Sequence, residues 1–88
     1  MPRNNGLPTQ KEEVLWFLME YGSITAMEGF KDLYIIDLAG CIRDLRKEYV
    51  IDDEWVNHTN KYGRPIQYKR YIFVGKKADV YGKQLALL

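Results

Sequence analysis

The chain has 88 residues, enough for one domain with little room for a second core. Hydrophobic residues make up 47% of it and aromatics 14%, which argues for a folded globule and against a disordered chain. The net charge of +1 says little as a total; no apolar run approaches the roughly 20 residues needed to cross a bilayer, and the opening MPRNNGLPTQ lacks the apolar core of a secretory signal, so a cytoplasmic setting without membrane contact is expected.

Residues 1–8 are polar and contain Pro and Gly, and a flexible N-terminus is expected there. Thr9 to Glu12 fits a capping box, in which the threonine oxygen accepts from a backbone N–H and the glutamate reaches back. The spacing predicts a first helix over Gln10–Tyr21, with Gly22 supplying a left-handed stop. At about 100° per residue, Val14, Phe17, Leu18 and Tyr21 share one face, and Trp16 and Met19 fall near the other. Trp16 therefore needs a cover from the C-terminal tail, a hairpin or another subunit, and packing within the chain is the favoured expectation.

Ser23-Ile24 suits a short extended segment. Thr25 to Glu28 repeats the capping box and predicts a second helix to about Lys31, anchored in the core by Phe30 and Leu33. A turn is expected near Asp32 to Ile36. A third helix should then run from about Asp37, its N-cap, to Glu48. Leu38, Ile42, Leu45 and Tyr49 recur at helical spacing and form its buried stripe. The opposite side carries Gly40, Arg43 and Lys47. Cys41 lies beside the apolar stripe and reads as a small core residue. As the single cysteine, it excludes an internal disulfide and a thiolate zinc cage.

Val50 to Thr59 and Ile66 to Val74 are rich in β-branched and aromatic residues, and Asn60 to Pro65 between them is rich in turn formers, so a β-hairpin is expected. Gln67, Lys69, Tyr71 and Phe73 fall on one face of the second strand, and Ile66, Tyr68, Arg70, Ile72 and Val74 on the other. A two-stranded ribbon is marginal alone, so one face must lean on the helices. The tail from Lys76 suits a short helix beginning near Ala78. Its leucines Leu85, Leu87 and Leu88 are apolar enough to dock on Trp16 or on another subunit, which makes a homodimer through Trp16 and these leucines a candidate assembly.

Charge is unevenly spread. Glu12 to Glu54 is acid-rich, whereas beyond Trp55 stand Lys61, Arg64, Lys69, Arg70, Lys76, Lys77 and Lys83 against Asp79 alone. His58 is the single histidine, and nothing gathers the converging ligands a metal needs. Asp52, Asp53 and Glu54 read as a solvated entry to the hairpin. They lack an accompanying phosphate loop, nucleophile elbow or metal motif, so neither an enzyme nor a cofactor is expected.

Gly22, Ser23, Ile24, Thr25, Glu28, Phe30, Leu38, Ala39, Ile42, Leu45 and Arg46, with Trp55 in the first hairpin strand, form a pattern. It resembles a winged helix-turn-helix family of small phage and prophage DNA-binding proteins. The resemblance covers roughly Gln10 to Val74. It implies an α+β fold: a three-helix core over residues 9–74 with a β-hairpin wing, followed by a tail over 75–88. It also implies a double-stranded DNA partner and a role in transcription regulation. Helix three would enter the major groove with Gly40, Arg43 and Lys47, and the wing cations Lys61, Arg64, Lys69 and Arg70 would hold flanking phosphates. Four to six neutralised phosphates would give a log–log salt slope of about −4 to −5. The chain departs from the family pattern where a Thr-Arg pair usually opens helix three. Ile36 and Asp37 stand there, and Cys41 replaces a second basic residue. An aspartate at the mouth of the groove repels phosphate, although it can accept from cytosine N4. The alternative reading keeps the fold and turns its surface to a host protein such as a defence nuclease.

Overall fold

The computed structural model describes residues 6–86, with side-chain surroundings given as far as residue 82. The order is α1 (Gln10–Tyr21), β1 (Ser23–Thr25), α2 (Ala26–Leu33), α3 (Leu38–Leu45), β2 (Tyr49–Thr59), β3 (Pro65–Lys76) and α4 (Lys77–Ala86). The first helix begins and ends where local chemistry says it should. Thr9 Oγ1 accepts from Glu12 N at 3.2 Å, and Thr9 N donates to Glu12 Oε1 at 2.9 Å. Gly22 closes the helix at φ 87°, a left-handed conformation that costs glycine little, and its N–H donates to Leu18 O.

The second box links strand to helix. Thr25 ends β1 and caps α2: its hydroxyl accepts from Glu28 N at 3.2 Å, and its own N–H donates to Glu28 Oε1 at 2.9 Å. Asp37 caps α3 by accepting from Gly40 N at 3.1 Å.

The core is a single cluster of Val14, Leu18, Ile24, Ile35, Leu38, Ile42, Leu45 and Ile51, drawn from α1, β1, the turn before α3, α3 itself and the base of the ribbon. Tyr49, Tyr71 and Phe73 lean on it from the strands. The sheet is antiparallel in the order β1-β3-β2. β1 covers only Ile72 to Arg70, so the ribbon runs on beyond it to the turn. With 11 residues in β2, the ribbon is about 35 Å long. Its register breaks between Val50 and Ile51, where β3 carries one extra residue before Gly75. Gly75 lies under α4, because an added Cβ would come within 3.2 Å of Val80 Cγ2.

Three expectations are corrected. Phe30 is not a core anchor; it is 56% exposed. The buried residue of α2 is Gly29, whose missing side chain lets Leu38 Cδ1 approach to 3.5 Å of the Cβ position. Phe30, one residue on, is rotated away by about 100°. Helix three stops at Leu45 rather than Glu48, and Tyr49 belongs to β2, paired with Lys76. Its end is tightened by Lys47 N to Asp44 O and Glu48 N to Leu45 O hydrogen bonds, with no glycine needed. Trp16 is also 54% exposed, and the surface trough it lines is formed by residues of α1 and α2, with none from the hairpin. The side chains of Leu85, Leu87 and Leu88 lie outside the described residues. The tail does form a helix, which packs on β3 and β2.

Candidate nucleic-acid interface

Helix three has eight residues, about 12 Å of helix, with Leu38, Ile42 and Leu45 buried beneath it. That anchorage leaves Ala39, Arg43 and Asp44 facing outward, with Gly40 half-buried between them. Gly40 serves the helix itself: a Cβ there would overlap the Asp37 carboxylate that caps the first turn. Arg43 has no ion-pair partner among the described residues. Lys47 lies past the helix end and pairs with Asp44 at 3.8 Å, both well exposed.

Arg43 does not stand alone. Ala39, Ile42, Arg43 and Arg46 from the α3 side, and Lys69 and Tyr71 from β3, line one shallow groove of about 290 Å³. Helix three and the ribbon therefore meet in one concavity. The joint is made by Arg46. Its Nε and Nη2 donate to Ile51 O at 3.1 and 2.8 Å, and Nη2 also donates to Asp53 Oδ2 at 3.1 Å. The guanidinium carbon sits 5.9 Å from the Tyr71 ring centroid. Asp53 Oδ2 is shared with Lys69 Nζ at 3.7 Å. The hydrogen bond from Arg46 foremost, and the positive charge of Lys69 beside it, hold the Asp53 carboxyl below the usual carboxylate range. An acid thus lies between the cations of the groove and neutralises part of its charge.

The wing cations do not share a face, because side chains alternate along a strand. Lys69 faces the α3 groove, with its ammonium 5.3 Å from the Trp55 ring. Arg70 faces the other way, beside Thr25 to Glu28, and pairs with Glu54 at 3.5 Å. Lys61 and Arg64 are at the tip. There Asn60 Oδ1 accepts from Tyr62 N and Arg64 N, both at 2.9 Å, and Gly63 takes φ 88°. These bonds fix the turn that presents the two cations, and neither has a carboxylate partner among the described residues.

The sequence of this chain matches the family model described as a winged helix-turn-helix domain over residues 9–76. The chain belongs to that family. No curated protein and no solved structure gives a significant match. In winged-helix terms α2 and α3 are the helix-turn-helix, and β2 and β3 the wing. Family membership makes DNA binding the function this fold suggests.

The residues by themselves signalled neither the joint at Arg46 nor the left-handed residue inside the expected turn before α3. Arg46 stands in the sequence as one residue of the family pattern, with nothing to mark it as a clamp, because its partners lie five and seven residues on, in a strand. Tyr34, in the turn before α3, has φ 58° and is 79% exposed, while Ile36 is 87% exposed. A bulky left-handed residue in that turn carries no sequence signal, since glycine or asparagine is the usual occupant. Cys41 is half-buried against the core. Burial, and then the carboxylates of Asp37 and Asp44, push its thiol up, which disfavours the nucleophilic thiolate. His58 lies on the exposed outer part of the wing, and no helix among the described residues is long and apolar enough to cross a membrane.

Proposed function

We propose that this winged-helix protein binds double-stranded DNA as a transcription regulator of phage or prophage type. Helix three would dock in the major groove and the wing would follow the backbone. The observation that carries the reading is the groove in which Arg43 from α3 and Lys69 from the wing meet. Arg43 is the side chain best suited to base reading, being exposed and without a carboxylate partner among the described residues. Lys61 and Arg64 suit phosphates for the same reason. Lys47, Lys69 and Arg70 each start from a carboxylate partner and must exchange it for a phosphate.

That distinction sets the size of the salt effect. The two cations at the wing tip neutralising two phosphates give a log–log slope of about −1.8, and engagement of Lys47, Lys69 and Arg70 as well about −4.5. Filter binding across a salt series on a mixed duplex pool measures it. A slope in that range, with a sequence selected from the pool, supports the reading; binding that does not depend on salt refutes it. On a selected site, Arg43→Ala should cost about 1–3 kcal/mol and relax discrimination at one base pair.

A second reading is favoured by the acids. Asp37 stands at the mouth of helix three, and Asp53 lies between Arg46 and Lys69. A host protein with basic groups, such as a defence nuclease, would meet such a surface better than a phosphate backbone does. Failure to bind any duplex at low salt, together with a stable complex captured from host lysate, selects this reading.

A further inference from the structure

A second surface lies away from the groove of α3 and shares no lining residue with it. The outer sides of α1 and α2 form a shallow trough of about 440 Å³. Trp16, Phe17 and Tyr21 supply its aromatic lining, and Glu13, Glu20 and Asp32 its rim. Trp16 is 54% exposed and Tyr21 65%, and the Phe17 and Tyr21 rings pack at a tilt of 49° with centroids 4.6 Å apart. None of the three carboxylates is ion-paired among the described residues. Glu20 is placed against its own helix: it lies in the last turn of α1, at the negative end of the helix dipole, and that turn holds no basic residue.

We propose that this trough docks a lysine- or arginine-bearing peptide segment of a partner protein. The argument is charge complementarity. A cationic head over the indole and phenol faces gains a cation–π contact, while the rim carboxylates, which have no ion pair among the described residues, accept its N–H donors. An incoming cation would also relieve the mismatch between Glu20 and the helix dipole. A two-fold dimer centred on Trp16 is less suited, because it would set Glu13 and Glu20 against their own copies. Nucleic acid is repelled by the same acids. The docking is independent of the DNA-binding reading, since it uses neither α3 nor the wing.

Titration of the isotope-labelled full chain with the acetylated, amidated octapeptide (Lys-Arg)4 tests this, with (Lys-Glu)4 as the uncharged-overall control. Amide shifts should saturate and cluster at Glu13 to Tyr21 and at Asp32. Trp16→Ala should weaken the peptide about fivefold. The Glu20→Gln, Asp32→Asn double variant should do so at least as strongly, and both should bind duplex DNA as the unaltered chain does. Trp16 is exposed enough that its removal should leave the amide spectrum dispersed, and the double variant gives the same answer without touching packing. Shifts that never saturate, that fall at Asp52 to Glu54 instead, or that persist in both variants overturn the proposal. So does self-association in sedimentation that buries Trp16, since a second copy would then be the occupant.

Discussion

Replacing Arg46 with methionine keeps an unbranched apolar stem and removes the guanidinium. Two N–H groups of one cation then cease to donate to Ile51 O, a partly buried carbonyl. A charged donor to a neutral acceptor contributes about 1.5–3 kcal/mol when buried; with the Arg46 side chain 42% exposed, about 1–2 kcal/mol is the reasonable share. In a domain of this size that lowers the melting midpoint by about 5–15 °C. The same bond holds the wing to the end of helix three. If both elements grip one duplex, a loosened wing must be ordered on binding, and affinity for every duplex falls by about 5- to 30-fold. Arg46→Lys keeps the charge but loses the fork, and should reproduce most of both losses. Calorimetric melting and filter binding on the same preparations read the two effects. An unchanged midpoint in Arg46→Met would refute the clamp; a lower midpoint with unchanged DNA affinity would refute the joint grip. The pH dependence has a definite sign. Asp53 is held below its usual range by Arg46, so its contribution is complete above the unfolded carboxylate value of about 3.9 and disappears as pH falls through the depressed folded value. Asp53→Asn should abolish that acid-side loss.

Lys61→Ala with Arg64→Ala should weaken binding to all duplexes by the same factor and make the salt slope shallower by about 1.8, read from the same filter-binding series. Thr25→Ala removes the hydroxyl that caps α2 at a position only 5% exposed, and should cost about 1–2 kcal/mol in urea unfolding. Tyr34→Gly relieves a left-handed conformation that costs an ordinary residue about 1–2 kcal/mol, offset by the greater freedom of glycine when unfolded. A net gain of about 0.5–1 kcal/mol is expected, and a loss would show that the Tyr34 ring has a packing role.

The local signals of this chain were legible from the residues alone. Thr9 with Glu12, Thr25 with Glu28, Gly22 and Asp37 act on backbone groups within four positions, so their effect needs no knowledge of the rest of the molecule. The alternation that separates Lys69 from Arg70 was legible for the same reason. The phase of α2 was not. Which of Gly29 and Phe30 turns inward depends on how closely Leu38 and Ile24 approach, and only the assembled core sets that distance. Pairing across the wing was likewise decided in three dimensions. Asp53 meets Lys69, and Glu54 meets Arg70, because the turn at Asn60 to Arg64 and the irregularity at Val50 fix the register of β2 on β3. A slip of one residue would send each acid to the opposite face. The sequence by itself thus determined the elements, their caps and the sides of the strands. Tertiary structure decided which cations remain available to a partner, because a cation's free charge depends on a carboxylate brought to it from elsewhere in the chain.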